Sequence, residues 1–597
     1  QSMEQRASGR TRRSGSRDLI VSAGAGSGKT WVLTERYIEM LNNGTRPEQI
    51  VAITFTKKAA AEMRGRIRQA IKKMEETSTD PNEARYWSGC KQALEQATIT
   101  TIHGFCTRLL RDAPLEAGVD PDFRVLDETE AQLMARHVFT EVVDTSLARC
   151  DQAAETLYRE LGDRRAVVES ALALHQQMRT YHVKKHDVLQ ETLATLDARR
   201  TRFVQLRDEL LQLVVQGEYL VHDLINQTKK TPQYLVNARD WLNRLHLTLT
   251  ESIHWDGRYD KAICAPFEQL KATMWRNYGP DELKELHGTL KQSLTEWLSY
   301  TEAPQYRQLL QALLDLVEQA GDHYWQRKRR EQALDFNDLE QLSFDVLSAH
   351  PHVAARWQNR LTYLMVDEFQ DTNGLQKAIL DRLTGTDGRV KRFVVGDGKQ
   401  SIYKFRGADV AVFQRTEAEI RQNQGVSVSL DVNFRTQQRL IAYINSLFHF
   451  LMNKEQGTAD FITTYEPLHA FRKPPHARPT VELLAGTIDP ADSGDLRQME
   501  AMRVARRIRA MVDNRERLVW ERPAGVANEQ ARPVNYGDVA LLLATRTHLH
   551  VYEQALKNEH IPYVVVGGRG FYDKQEVVDV LNVLKLVQNR DDELALL

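Results

Sequence analysis

The stretch that decides the fold is Leu19-Ile20-Val21-Ser22-Ala23-Gly24-Ala25-Gly26-Ser27-Gly28-Lys29-Thr30. An apolar, β-branched run leads into a loop of small residues that ends in Lys-Thr, where a helical stretch begins. Glycines let backbone N–H groups close around phosphates at a helix N-terminus, where the helix dipole also favours anions. The sequence therefore predicts a strand, a nucleotide-binding loop and a helix, with Lys29 on the β- and γ-phosphates and Thr30 on Mg²⁺. Ala23 stands where the general pattern has its first glycine, and the alternative is an ordinary small-residue turn.

A second chemical signal follows the apolar run Tyr363 to Val366, where the chain reads Asp367-Glu368-Phe369-Gln370-Asp371. A site that hydrolyses ATP needs one carboxylate to hold Mg²⁺ and another to position or deprotonate the attacking water. We expect Asp367 to bind the metal and Glu368 to act on the water. Neighbouring acids in a loop are usually a solvated face, so this pair is informative only together with the nucleotide-binding loop.

Short β-rich runs alternate with helical stretches, which predicts an α/β fold with mainly parallel sheets. The runs are Leu19 to Val21, Ile50 to Ile53, Thr98 to Ile102, Tyr363 to Val366 and Arg392 to Val395. From Asp127 to about Arg330 the apolar period becomes helical, and the stretch begins with an Asp127-x-x-Glu130 capping pair. We therefore expect a large all-helical insertion inside the first α/β lobe.

A second α/β region is expected after Asp409. Its expected strands are Val426 to Leu430, Val539 to Leu543 and Tyr563 to Val566, and residues 470–535 are expected to form a loop region rich in Pro, Gly and charge.

The amino-acid composition limits which classes of protein the chain can belong to. The 597 residues carry 80 basic and 81 acidic side chains, so any nucleic-acid contact must come from a local basic track. No stretch approaches the roughly 18 to 20 uninterrupted apolar residues of a membrane span. The four cysteines are far apart and form no CxxC pair, which argues against a zinc site or a disulfide framework. These features predict a soluble, cytoplasmic protein of several domains that does not act at a membrane.

The nucleotide-site residues and the segments around them resemble superfamily 1A DNA helicases of the UvrD/Rep type. The similar segments are Thr54-Phe55-Thr56-Lys57-Lys58-Ala59-Ala60-Ala61-Glu62-Met63 (motif Ia), Thr101-Ile102-His103-Gly104-Phe105 (the next DNA-contact motif, Ic), Asp367 to Asp371 (motif II), Gly396-Asp397-Gly398-Lys399-Gln400-Ser401-Ile402-Tyr403-Lys404-Phe405-Arg406-Gly407-Ala408 (motif III) and Asn433-Phe434-Arg435 (motif IV). Their order and spacing agree with the family from about residue 4 to residue 590, outside the helical insertion and the loop region.

The resemblance implies roles for residues on the nucleotide. Gln400 would sense the γ-phosphate, and Arg435 would act as an arginine finger on the developing charge. Phe434 would stack on the adenine, and Gln5 would read the adenine edge. The cofactors implied are ATP and Mg²⁺.

The resemblance also implies a site for single-stranded DNA. Phe55 and Phe405 would stack on bases, and the backbone would be gripped by Thr56, Thr101, His103 and Arg406. Phe405 stands where UvrD and Rep usually have tryptophan. Stacking tolerates any base sequence, as a translocating motor requires.

Three details resemble the RecB/AddA branch, which is similar to the exonuclease V beta subunit. They are Gly398-Lys399-Gln400 with Phe405-Arg406, the segment Asp335-Phe336-Asn337-Asp338-Leu339, and the length of the helical insertion. The branch implies a 3′-to-5′ helicase or translocase for double-strand break repair and recombination, which acts on DNA ends with an AddB- or RecC-like partner protein. Alternatives are a UvrD/Rep-like repair helicase without a nuclease and a nucleotide-gated subunit that only binds DNA. Neither motif II nor motif III would occur in this form in a P-loop kinase or GTPase.

The resemblance divides the chain into lobes. Residues 1–115 and 331–415 would form RecA-like lobe 1A, residues 116–330 the helical insertion 1B, residues 416–590 part of lobe 2A, and residues 591–597 the start of domain 2B. Family motifs V and VI do not occur before Leu597. Because an arginine finger contributes roughly 10³ to 10⁵ in rate, we expect a motor fragment that binds ATP and single-stranded DNA but hydrolyses slowly.

Overall fold

The computed structural model describes residues 17–252, 261–274, 279–300, 306–385, 387–452, 463–472, 481–484, 495–521, 530–566 and 575–588. Gln5, predicted to read the adenine, and residues 591–597, predicted to begin domain 2B, lie outside these ranges. The chain divides into two compact units, Gln1–Pro475 and His476–Leu597, and each is described by itself. Within the described ranges, no helix combines the length and the apolar character that crossing a bilayer requires.

The strands fall into one large sheet and three short pairs. They are β1 (Leu19–Ala23), β2 (Ile50–Thr54), β3 (Thr98–Thr101), β4 (Arg124–Val125), β5 (Ala333–Leu334), β6 (Tyr363–Val366), β7 (Lys391–Gly396), β8 (Val426–Leu430), β9 (Val432–Gln437), β10 (His469–Arg472), β11 (Val519–Glu521) and β12 (Gln530–Arg532).

Helices make up most of the rest. They are α1 (Lys29–Asn42), α2 (Lys57–Thr77), α3 (Pro81–Ala93), α4 (Ile102–Asp112), α5 (Pro114–Ala117), α6 (Glu128–Ala148), α7 (Gln152–Leu161), α8 (Arg164–Thr180), α9 (Lys185–Asn226), α10 (Gln233–Glu251), α11 (Lys261–Ala272), α12 (Asp281–Ser299), α13 (Tyr306–Arg330), α14 (Phe336–Ala349), α15 (Pro351–Arg360), α16 (Gly374–Thr384), α17 (Val410–Gln422), α18 (Gln438–Met452), α19 (Asp495–Asp513), α20 (Leu549–Asn558) and α21 (Gln575–Gln588).

A six-stranded parallel sheet forms the centre of the first unit, in the order β3-β2-β6-β7-β1-β8. Alternate side chains of each strand point to opposite faces, so both faces are apolar and both are covered by helices. One face packs Ile20, Ile53 and Val394 against α4, α14, α16 and α17. The other packs Leu19 and Phe393 against α1, α2 and α3. The predicted α/β class is confirmed, and so are the five strand predictions for this sheet.

The expected start of the second α/β region was wrong for one strand. Val426–Leu430 pairs with β1 along its whole length and is therefore the sixth strand of the first sheet. A strand next to motif IV in sequence was assigned to the later region because sequence order does not show which sheet edge a strand joins.

The second unit corrects three further expectations. No strand is assigned to 539–543 or 563–566 within the described part of the chain, although both runs are β-rich. Residues 470–535, expected to be a loop region, contain α19 and the antiparallel pair β11–β12. Ala501, Ala505 and Ile508 of α19 are buried at helical spacing, in a small core with α20.

The two ends of the helical insertion meet at one point of the first unit. Strand β4 pairs in parallel with β5, so the two ends of the insertion lie side by side. The predicted capping pair is confirmed: the Asp127 carboxylate accepts from the Glu130 amide at 2.8 Å, and the Glu130 carboxylate accepts from the Asp127 amide at 3.0 Å. Helices α6, α7, α8 and α13 share one apolar core, and α9 to α12 share a second.

A buried ion cluster joins the helical insertion to α14. Arg179, at the end of α8, donates to Asp335 and to Asp338, both at 2.7 Å. Lys328 of α13 is 1% exposed and donates to the same two carboxylates, at 2.8 Å to Asp335. Burial alone would raise the pKa of Asp335, but the positive charges of Arg179 and Lys328 lower it below its usual range. Since Asp335 is the N-cap of α14, the cluster joins two insertion helices to a helix that packs on the central sheet.

Replacement of Lys328 by Met should destabilise the protein by about 3–5 kcal/mol, because two buried carboxylates would keep only one cation. Lys185→Met is the matched control. Lys185 pairs with Asp315 and Glu318 at the surface, so its loss should cost less than about 1 kcal/mol. Urea unfolding followed by far-UV circular dichroism measures both. Equal stability of the two variants would contradict a structural role for the cluster.

Candidate functional site

The loop after β1 has the backbone conformation of a phosphate cradle. Gly26 and Gly28 have φ of +69° and +90°, in the left-handed region that favours glycine. The loop closes on itself through the Ser27 hydroxyl, which donates to the Gly24 carbonyl at 2.7 Å. Gly28 is the N-cap of the 14-residue helix α1 and has no side chain to occupy the first-turn amides. These amide donors and the helix dipole fit an anionic ligand.

Ala23 is compatible with this loop because it belongs to the strand. It is fully buried and pairs with Leu430 in the sheet, so the residue needs no glycine conformation. The tight approach begins one residue later, where a Cβ on Gly24 would come within 2.4 Å of the Leu468 side chain.

The carboxylates of motif II lie beside the loop. The Lys29 ammonium bonds to Glu368 Oε2 at 2.8 Å, across the gap between the ends of β1 and β6. Glu368 has φ of +52°, a conformation that turns the chain sharply after the strand. Burial, together with the negative charge of Glu368, raises the pKa of Asp367 to about 6. A cation bound beside this carboxyl would favour its ionised form and offset the effect of burial.

These residues fit a magnesium ion held largely by a nucleotide. Mg²⁺ is usually bound by one or two carboxylates together with phosphates and water. No cluster of three or more His, Cys, Asp or Glu side chains with metal-binding geometry occurs among the described residues. The Asp367 carboxyl and the Thr30 hydroxyl are groups of the kind that such an ion takes from a protein.

Gln370 and Asp397 connect motif II to motif III. The Gln370 amide nitrogen donates to Glu368 at 2.9 Å, and its oxygen accepts from the Asp397 amide at 2.9 Å. Asp397 is buried, and its carboxylate accepts from the Gln400 side chain at 2.7 Å and bonds to the Lys399 ammonium at 3.0 Å. Sequence reasoning predicted a role for Gln400 but none for Gln370 or Asp397. The sequence could have indicated both residues, since Gln370 lies inside motif II and Asp397 inside motif III.

Motif IV packs directly on the nucleotide-binding loop. The Asn433 side-chain amide donates to the Ala25 carbonyl at 2.6 Å, and the Phe434 backbone amide donates to the Gly26 carbonyl at 2.9 Å. A Cβ on Gly26 would lie 2.8 Å from the Cβ of Arg435. Arg435 is therefore beside the loop, as its predicted role requires. The Phe434 ring packs against Phe471 at 5.1 Å between centroids.

Three aromatic side chains form a row at the same sheet edge. Phe55 follows β2, and its ring lies 4.5 Å from that of Tyr403; Tyr403 in turn lies 5.7 Å from Phe405. Phe405 is 72% exposed, which an apolar core residue would not be. Arg406 lies over the rings of Tyr403 and Phe405, and its guanidinium donates to Glu128 at 3.2 Å. Tyr403 was missed by sequence reasoning, although it stands two residues before Phe405.

The other predicted DNA contacts have partners within the protein. Thr56 and Thr101 are the N-caps of α2 and α4, where their hydroxyl oxygens accept from backbone amides at 3.0 and 3.2 Å. His103 bonds to the buried Glu340 carboxylate at 2.9 Å and packs on Phe336. Thr56, Thr101 and His103 lie at or just after the carboxyl ends of β2 and β3. The predicted residues within the described ranges thus lie at or beyond the carboxyl ends of the central strands, or beside the loop there, where ligands bind in open parallel sheets.

Replacement of Gly26 by Ala should weaken nucleotide binding by about tenfold or more, because the left-handed backbone costs about 1–3 kcal/mol and the new Cβ meets Arg435. Gly65→Ala is the control, since Gly65 lies in α2 with open space around it. Titration with a fluorescent ATP analogue measures both variants. Unchanged affinity of the Gly26 variant would show that this loop does not hold the nucleotide.

Comparison with known proteins agrees with this geometry. The family model described as UvrD/REP helicase N-terminal domain matches residues 4–421, and the UvrD-like helicase C-terminal domain matches residues 428–597. The chain is 27% identical to the A-type subunit of the ATP-dependent helicase/nuclease of Listeria innocua, over 97% of its own length and 50% of the relative's. The proteins of the same name from Bacillus cereus and Bacillus anthracis are also 27% identical, over 96% of this chain and 50% of theirs. The chain thus spans about half the length of these relatives. Because the first of these family models covers more than half of its residues, the chain belongs to the UvrD/Rep helicase family.

Proposed function

We propose that the chain is the ATP-binding motor portion of a 3′-to-5′ DNA helicase or translocase, similar to AddA and RecB, that serves double-strand break repair and recombination. The observation that carries the proposal is the ion pair between Lys29 and Glu368, which lies at the same sheet edge as the aromatic row Phe55, Tyr403 and Phe405. A nucleotide site and a stacking surface side by side are what an ATP-driven translocase on single strands needs. The direction of movement is taken from the family.

On the nucleotide side, the loop amides and Lys29 would bind the phosphates. Thr30 and Asp367 would hold Mg²⁺, which when bound would neutralise charge on the phosphate oxygens. Glu368 would orient and deprotonate a water once Lys29 releases it. The carboxylate of Glu368 is half-exposed, so water reaches it.

Gln400, Arg435, Phe434 and Gln5 would complete the nucleotide site. Gln400 would report the γ-phosphate through its side-chain amide. Arg435, exposed beside Gly26, would stabilise charge that develops on the phosphate. Phe434 would stack on the adenine and Gln5 would read its edge.

On the DNA side, Phe405, Tyr403 and Phe55 would stack on bases. Arg406, His103, Thr56 and Thr101 would contact the phosphate backbone. His103 is supported by its bond to Glu340, which orients the ring and leaves its other nitrogen for a ligand.

We also infer the lobe organisation and the setting. The first lobe would comprise residues up to 115 together with 331–430, the insertion residues 116–330, and the second lobe the chain after β8. The proposal includes a second helicase-nuclease protein as partner, DNA ends as the substrate and a cytoplasmic location. The partner is supported by the relatives' name, which describes them as one subunit of a helicase/nuclease.

Two variants test the proposal in opposite directions. Phe405→Ala should weaken binding of a fluorescein-labelled oligo(dT) by about 5- to 150-fold, since stacking is worth about 1–3 kcal/mol per base, and should leave nucleotide binding unchanged. Lys29→Ala should instead abolish most nucleotide binding. Fluorescence anisotropy and a fluorescent ATP analogue measure the two affinities.

The matched control is Tyr219→Ala, because Tyr219 is an aromatic residue on α9 with nearly the same exposure, 71%, as Phe405. Oligonucleotide affinity that falls equally in the Tyr219 and Phe405 variants would contradict the stacking surface. Nucleotide affinity that survives Lys29→Ala would contradict the nucleotide site.

A further inference from the structure

We propose that Gln370 is a positioning residue that links Glu368 to the DNA-facing loop of motif III, and so couples nucleotide binding to DNA binding. The inference rests on the proposed function, because it needs a nucleotide beside Glu368 and a DNA strand against Tyr403 and Phe405. It concerns a residue to which the proposed function assigns neither a nucleotide contact nor a DNA contact. Its side chain lies between the two sites.

The amide of Gln370 has one partner set on each side. Its nitrogen donates to Glu368 Oε2 at 2.9 Å and to Asp371 Oδ2 at 3.3 Å. Its oxygen accepts from the backbone amide of Asp397 at 2.9 Å. A carboxylate can only accept and a backbone amide can only donate, so the side chain has a single satisfied orientation. A shift of the Glu368 carboxylate therefore disturbs the hydrogen bond between Gln370 and Asp397. In the same way, a shift of Asp397 disturbs the hydrogen bond between Gln370 and Glu368.

The backbone of Gln370 makes a second connection to the same segment. The Ser401 hydroxyl donates to the Gln370 carbonyl at 3.1 Å. Between these two bonds, the Asp397 carboxylate holds the Gln400 amide at 2.7 Å. The segment 397–401 is thus attached to Gln370 at both ends. It leads directly into Tyr403 and Phe405.

The Gln370 side chain is buried and closely packed. Gln370 is 2% exposed. A Cβ on Gly396 would lie 2.7 Å from the Gln370 Oε1 atom and 2.8 Å from the Phe413 ring. In an interior of this density, a displaced group shifts its neighbours instead of filling a void. Glutamine at this position behaves as a rigid spacer between the carboxylate and the loop.

Binding energies of the two ligands measure the coupling directly, since linkage makes the effect of each ligand on the other equal. The full 597-residue chain is titrated with fluorescein-labelled oligo(dT), with and without a saturating magnesium complex of a non-hydrolysable ATP analogue. The ratio of the two affinities is the coupling factor. We expect about 5- to 150-fold for the unaltered chain, the usual range for coupled sites.

Gln370→Met keeps the length of the side chain and removes both polar contacts. It should reduce the coupling factor to below about twofold while each ligand, measured separately, binds within about threefold of the unaltered chain. A role limited to stability would lower both separate affinities or the melting temperature and would leave the ratio intact. Gln370→Glu, measured at alkaline pH, is the second variant, because an ionised glutamate retains an acceptor for the Asp397 amide but has no donor for Glu368. It too should lose the coupling, even if the Met variant does not fold.

Gln358→Met is the matched control. Gln358 is a half-buried glutamine on α15 that donates to the Arg382 carbonyl at 2.8 Å, so its replacement should leave the coupling factor unchanged. Retention of full coupling in a folded Gln370 variant would overturn the inference. So would an unaltered chain that binds both ligands without coupling, and that outcome would leave the proposed function standing. Failure of the unaltered chain to bind nucleotide or oligo(dT) would instead overturn the proposed function itself.

Discussion

The ion pair between Lys29 and Glu368 is the interaction on which the rest of the site depends. It joins the nucleotide-binding loop after β1 to the carboxylates after β6, and these strands are separated in the sheet by β7. Lys29 is mostly buried, so its charge needs an anionic partner at all times. In this structure the partner is the Glu368 carboxylate, and a phosphate would compete for the same ammonium group. Exchange of one anion for another would release Glu368 towards solvent, where a water is available.

The helical insertion also contacts segments close to the nucleotide-binding loop and the aromatic row. The Arg179, Lys328, Asp335 and Asp338 cluster fixes the ends of α8 and α13 against α14, and α8 ends at Thr180. A Cβ on Gly407, which has φ of +83°, would lie 2.9 Å from the Thr180 carbonyl oxygen. The loop that carries Tyr403 and Phe405 therefore closely approaches the insertion at Gly407.

The sequence predicted correctly those features that depend on interactions between residues close in the chain. The loop at 24–28 between β1 and α1, the five strand runs of the first sheet and the Asp127 cap depend on residues close in sequence, and each was predicted correctly. The place of β8 beside β1, the absence of strands at 539–543 and 563–566 in the described chain, and the helix α19 depend on which distant segment covers an apolar side chain. The hydrogen bonds that Gln370, Asp397 and Asn433 make with other segments were not predicted for the same reason. Their hydrogen-bond partners lie as far away as 408 residues.

The most direct test of the central ion pair is the affinity of Glu368→Gln for a magnesium complex of an ATP analogue. If the carboxylate and the phosphate share Lys29, the loss of the competing charge should tighten nucleotide binding by about two- to fivefold, as a half-exposed ion pair of up to about 1 kcal/mol allows. The variant keeps the shape of the side chain, so packing is preserved. A loss of affinity of about tenfold or more, equivalent to about 1.4 kcal/mol, would contradict this competition and would make the pair a purely structural contact.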